Sequence, residues 1–217
     1  AQAHGASQVM LDGSELVAGS MGDLGCFSFF PSKNMAVGGE GGMLTTTVEE
    51  LTDAVSLVVN HGRSPSLESM QLGSNLRMSE VSASIGTVQL SHLDSWVGRR
   101  REIAEIYHQA FADHPLLSTP KVRPGAKHAW HQYCLTTEYP NELVAHLDQH
   151  GIDARRYYVT PCHRQNVFAK HPQHEQVLPV TATLSSTLVA IPVMHELKDD
   201  EIERIIAAVM SFSVPQH

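Results

Sequence analysis

The chain has little of what marks a secreted, membrane-spanning or nucleic-acid-binding protein. Its 217 residues include only three cysteines, Cys26, Cys134 and Cys162, widely spaced. That usage suits reduced thiols in a cytoplasm rather than a disulfide framework. No Cys-x-x-Cys pair is available to hold zinc. No apolar run approaches the ~20 residues that span a bilayer, and no charged-apolar-small leader opens the chain. Lysine and arginine number 15 against 23 acidic residues, and the resulting net charge of −8 argues against nucleic acid or an anionic membrane as a partner. Internal repeats and low-complexity tracts are also lacking. What is present is a hydrophobic fraction of 42%, enough for the core of one large or two small domains.

The pattern along the chain alternates strand-like and helix-like text. Residues 24–30, rich in Phe, and 42–46 read as strands. Residues 48–59 carry Leu51, Val55, Val58 and Val59 near helical spacing, with Thr47 placed to cap them. Residues 60–75 read as a loop. Ser79 opens a helical stretch with Val81, Ile85, Val88, Leu90 and Leu93 as its apolar stripe, which Trp96 either ends or bridges to a following helix. The run Arg99-Arg100-Arg101 reads as a solvated helix face or a subunit contact. Prolines and basic residues over 115–125 suggest a connector. Beyond it, strands are expected over 130–137, 152–158 and 188–193. Helices are expected over 141–149, stopped by Gly151, and over 199–212. Such alternation implies an α/β lobe.

The most informative text is Cys26-Phe27-Ser28-Phe29-Phe30-Pro31-Ser32-Lys33-Asn34-Met35-Ala36-Val37-Gly38-Gly39-Glu40-Gly41-Gly42-Met43. An apolar strand leads into a turn closed by Pro31, presents one lysine, and leaves through glycines into a second strand. A lysine held there can form a Schiff base with a carbonyl, whereas most lysines are solvated surface charges. Ser28, between two Phe residues, needs a buried partner, met by a phosphate oxygen or by a neighbouring backbone carbonyl. Among the 14 histidines, the pairs His128/His131 and His171/His174 invite a metal reading, but zinc needs three or four ligands in one geometry, and no metal is expected.

Together with Ala1-Gln2-Ala3-His4-Gly5-Ala6, Asn60-His61-Gly62, residues 72–80 (Leu-Gly-Ser-Asn-Leu-Arg-Met-Ser-Glu), residues 128–133 (His-Ala-Trp-His-Gln-Tyr), residues 151–158 and Ile191-Pro192, this text resembles the DegT/DnrJ/EryC1/StrS family. Its members are pyridoxal-phosphate (PLP) aminotransferases acting largely on nucleotide-linked keto-sugars. The resemblance covers nearly the whole chain, in order. It departs at the start: the family's Asp three residues before the Gln, which pairs with the cofactor's pyridinium nitrogen, would precede residue 1. So would the first phosphate-binding helix end and the stacking aromatic ring. A C-terminal portion of a longer enzyme is therefore expected.

The resemblance implies an α/β, aspartate-aminotransferase-like fold of type I. Residues 1–114 would be the remaining part of the PLP-binding large domain with its interface helices, and residues 115–217 the small C-terminal lobe. It makes Lys33 the catalytic Schiff-base lysine, and Gln2, Ser28 and Asn75 further cofactor contacts, Asn75 across a homodimer interface. Gln2 reads otherwise as a surface glutamine, and Asn75 as a turn residue after Gly73. Asn34 is expected to shape the lysine loop. His131 and Tyr158 become substrate candidates, and Arg155-Arg156 would touch a nucleotide phosphate or line a solvated strand edge. The implied reaction transfers an amino group from an amino acid, with glutamate the expected donor, to a nucleotide-linked keto-sugar. Lys33 argues against the family's dehydratases, where histidine replaces the lysine. Other readings remain: the aminocyclitol or 3-amino-5-hydroxybenzoate branches, an inactive scaffold or dimerisation module, or an assembly completed by a separate N-terminal half.

Overall fold

The computed structural model describes residues 1–214. They pack into two compact units, one of residues 1–98 with 122–131, the other of residues 99–121 with 132–214.

In the first unit, β1 (Ser7–Val9) and β2 (Glu15–Val17) form an antiparallel hairpin. The Asp12-Gly13 dipeptide turns it: Gly13 takes φ +84° and the Asp12 carboxylate accepts from the Ser14 N–H at 2.9 Å. Such turns favour Asp and Gly for these two reasons. β3 (Gly25–Ser28) and β4 (Gly42–Thr45) pair antiparallel, with Ser28 opposite Gly42. Helix α1 (Glu49–Val59) follows. No side chain caps its first turn, Thr47 included; just ahead of it the Thr46 hydroxyl accepts from Val48 N at 3.0 Å. Residues 60–75, expected as a loop, carry the isolated bridges Asn60 to Asn75 and Arg63 to Ser69.

Helix α2 (Glu80–Phe111) is continuous over 32 residues, about 48 Å at 1.5 Å per residue. Ser79 Oγ accepts from Ser82 N at 3.1 Å and caps it. Trp96 does not end it. The helix runs on through Val97 and Gly98, and Ile103, Tyr107 and Phe111 continue the i, i+4 burial. Of the anticipated stripe only Leu93 is buried; it packs with Val97, Phe29, Met35, Val37 and Ala129. Val81, Val88 and Leu90 are 73%, 63% and 58% exposed. Between residues 122 and 131, β5 (Ala126–Lys127) pairs with β1, giving a three-stranded sheet in the order β2-β1-β5.

The second unit centres on β6 (Tyr133–Thr136) paired antiparallel with β7 (Leu188–Ile191). Tyr133 and Leu135 are fully buried while Cys134 and Thr136 are half-buried, the period-two alternation of a one-sided sheet. α3 (Pro140–Gln149), α4 (Pro179–Thr187) and α5 (Asp199–Met210) complete it. α3 begins on Pro140 and stops where Gly151 takes φ +68°. α5 has three acidic residues in its first turn, and Glu201 accepts from the Lys198 N–H at 2.9 Å.

Two expectations fail here. Residues 152–158 form no strand; only Arg155 bridges Ala190. Arg156 turns aside instead, donating to the Ser185 and Ser186 carbonyls at 3.0 and 2.9 Å at the end of α4. The arginine run is not simply solvated either. Arg100 is buried and donates to the Val193 carbonyl at 2.9 Å, while Arg99 ion-pairs with Asp199.

No helix among the described residues is long and apolar enough to cross a membrane. Leu147 is fully buried, with its neighbour Leu143, on α3. Leu147→Ala is expected to cost about 2–5 kcal/mol, read as a lower urea midpoint, whereas exposed Val180→Ala on α4 should stay within about 0.5 kcal/mol.

Candidate active site

Lys33 lies in the connection between β3 and β4, and the physics of that segment is one of anchoring. On the entry side, Phe29 is buried and its N–H donates to Gly41 O at 2.8 Å, while Lys33 N donates to Phe30 O at 2.9 Å. On the exit side Met35 and Val37 are buried, and Ala36 N donates to Gln89 Oε1 on α2 at 2.7 Å. Gly41 is required by close approach: a Cβ there would stand 2.5 Å from Val37 Cγ2. Lys33 itself is half-buried between these anchors.

The adjoining Asn34 is only 3% exposed. Its Nδ2 donates to Ala129 O at 2.9 Å, and its Oδ1 lies 3.3 Å from His131 Nδ1. The neighbouring Trp130 is buried with φ +45°, and its N–H is taken by His128 Nδ1 at 2.9 Å. Asn34, next to Lys33, and His131, 97 residues on in sequence, thus meet within the first unit. Ser28 closes β3 on the same connection, half-buried, its hydroxyl accepting weakly from Phe30 N at 3.4 Å.

His4 was not anticipated. It is 3% exposed, its ring tilted against Phe27 and Phe29 at 5.3 and 5.8 Å, and neither ring nitrogen has a hydrogen-bond partner within bonding geometry. Burial pushes its pKa below the ordinary imidazole value, and the nearby Lys33 pushes the same way. His4 therefore senses the charge on Lys33. Nothing in Ala-Gln-Ala-His announces this, because the contacts come from β3.

Residues 1–210 match the DegT/DnrJ/EryC1/StrS aminotransferase family. The chain belongs to this family. The dTDP-3-amino-3,4,6-trideoxy-alpha-D-glucose transaminase of Streptomyces venezuelae is 32% identical over 213 residues, 98% of this chain and 55% of that protein. The UDP-N-acetyl-3-dehydro-alpha-D-glucosamine 3-aminotransferase of Acidithiobacillus ferrooxidans is 34% identical over 194 residues, 88% of this chain and 51% of that protein. Among solved structures, S. venezuelae DesV in complex with a ketimine intermediate superposes with a TM-score of 0.89 at 32% identity, covering 97% of this chain and 55% of that one. The chain spans about half the length of the curated relatives it matches. The aspartate-aminotransferase-like, type I fold expected from the sequence is that of the structural neighbours, and the family's cofactor is PLP. The donor set fits this cofactor: a half-buried primary amine and a half-buried hydroxyl on one anchored connection.

The remaining family positions are more exposed. Gln2 is exposed, two residues before His4. Asn75 is exposed, bridged to Asn60, its Oδ1 accepting from Arg77 N at 3.4 Å. Tyr158, in the second unit, is 64% exposed. Arg155 ion-pairs with Asp153 at 3.0 Å, and Arg156 also donates to Asn141 at 2.8 Å. A cavity of about 370 Å³ in the second unit is lined in part by Arg156, His163 and Arg164; of the residues singled out in the sequence only Arg156 lines it. Among the described residues no three His, Cys, Asp or Glu side chains gather with metal-site geometry.

A His4 ring held neutral in the fold takes up a proton in the unfolded chain as pH falls through about 6.5. The unfolded state then binds more protons, so stability is fully present above that pH and declines below it. His4→Phe should shrink the drop in urea midpoint between about pH 7.5 and about pH 5. An unchanged drop would show that His4 is not held neutral.

Proposed function

We propose that the protein carrying this chain is a PLP-dependent transaminase that moves an amino group, with glutamate as donor, to a nucleotide-linked keto-sugar. Lys33 is the amine that holds the cofactor in a Schiff base. The observation that carries this reading is the anchoring of the Lys33 connection by buried or bonded residues on both sides, within a sequence matched along its length by sugar transaminases. Bound PLP supplies an electron sink for carbanion character at the substrate carbon. The chain's residues supply the rest. The Lys33 amine would hold the cofactor and, when free, would take and return the proton at the carbon that gains or loses nitrogen. The Ser28 hydroxyl donates to a phosphate oxygen, replacing its weak contact with Phe30 N. Gln2 would contact the cofactor ring, and His131 and Tyr158 are each candidates for contact with the substrate.

In this reading residues 1–114 belong to the cofactor-binding domain and residues 115–217 to the small lobe, and the enzyme works in the cytoplasm as a homodimer. Asn75 reaches the other subunit's phosphate. The exposed apolar side chains support an interface: Leu72 and Leu76, near Asn75, are 97% and 63% exposed, and Val81, Val88 and Leu90 are exposed on α2. Apolar exposure on this scale is a mark of association surfaces. Either a second copy or an N-terminal half of domain size would cover it.

Incubation with PLP, borohydride reduction and peptide mass mapping tests the reading. A pyridoxyl adduct confined to Lys33, and lost in Lys33→Ala, is the expected result. Labelling scattered over exposed lysines, unchanged in Lys33→Ala, would contradict it.

A further inference from the structure

The orientation of one buried amide settles the state of a histidine. Asn34 is 3% exposed, so each of its polar atoms must find a protein group. Within 2.9 Å of one end lies the carbonyl of Ala129. A carbonyl only accepts, so the end facing it must be the NH₂ group. The other end, 3.3 Å from His131 Nδ1, is then the oxygen, which only accepts. The proton of that contact must come from His131. A neutral His131 therefore carries its hydrogen on Nδ1 and its lone pair on Nε2.

We propose that Asn34 is a positioning residue with two linked tasks. Through Ala129 it clamps the turn that presents Lys33, and through Oδ1 it holds His131 in the Nδ1–H tautomer. The clamp acts where the backbone is under strain. Trp130, between the two anchor points, sits at φ +45°, a region that costs a bulky residue energy and persists only where neighbours over-determine it. Asn34 on one side and His128 Nδ1 on the other provide that determination. With the lone pair on Nε2, His131 accepts from a hydroxyl or ammonium donor and cannot donate from that nitrogen. The Ala36 to Gln89 bond, two residues beyond Asn34, is an independent tether, so losing Asn34 loosens the turn without releasing it.

This inference rests on Lys33 as the cofactor amine only for the effect on its reactivity; the tautomer stands on geometry alone. Two-bond ¹H–¹⁵N correlation spectra of the ¹⁵N-labelled chain, above about pH 7.5 where imidazole is neutral, read the tautomer. The wild type is expected to show Nδ1–H at His131. Asn34→Leu, which removes both bonds, should lose that preference and slow PLP labelling of Lys33 by ~10-fold, the scale of one buried hydrogen bond. Asn34→Asp keeps an acceptor for His131 but loses the donor to Ala129, so it should retain Nδ1–H and still slow labelling. An Nε2–H tautomer in the wild type, or wild-type labelling rates in both variants, would overturn the proposal. Should Asn34→Leu fail to fold, the wild-type tautomer and the Asn34→Asp rates decide. If wild-type Lys33 takes no label at all, the cofactor reading falls, and the His131 tautomer alone judges the role of Asn34.

Discussion

A reactive lysine, the role proposed for Lys33, is useful only if it is held, and the first unit fixes the backbone on both sides of Lys33. The side chain is long and carries much rotamer entropy, so the backbone must supply the constraint. It does so through buried neighbours: Phe29 before the turn, Asn34 within it, Met35 and Val37 after it. These pack with Leu93 and Val97 of α2 and with Ala129. One helix thus supplies both the apolar wall and, through Gln89, a polar tether. The turn lies at the junction of a core cluster and a hydrogen-bonded frame, and Gly41 stands there at a position of close approach.

Electrostatics in the site follow from the same packing. His4 lies against the strand that carries Ser28, buried among aromatic rings. Its proton affinity falls because water is excluded and because positive charge lies near. A cation at that position would oppose a cation on Lys33, so burial of a neutral ring beside the lysine removes a conflict rather than adding a charge. The second unit spends its polar groups differently. Arg100, Arg155 and Arg156 are committed to Val193, to Asp153, and to Asn141 and the end of α4.

Much of this was legible in the sequence, for identifiable reasons. β3, β4, β6, β7, α3 and α5 carry clear periodicities, and Lys33 stands in a text too specific to be read as loop. The β1–β2 hairpin escaped notice because each strand is only three residues long, although Asp12-Gly13 marks the turn. α4 escaped because its apolar residues follow no helical face. The expected strand over 152–158 failed because Arg156 is drawn to carbonyls at a helix end, a preference that alternation cannot register. Asn34 was legible only as a residue that shapes the lysine loop, and Gln89 and His4 not at all. Their meaning lies in partners 95 and 53 residues away for the first two, and in a strand face for the third.

The central claim is that the Lys33 connection is fixed by structure and does not sample an open loop. Amide hydrogen exchange across residues 29–37, compared with the exposed turn at residues 64–67, tests it most directly. The account predicts slow exchange at Phe29, Lys33 and Ala36, whose N–H groups are bonded to Gly41, Phe30 and Gln89, with protection falling only on opening of the first unit. Exchange at these amides as fast as in residues 64–67 would contradict it.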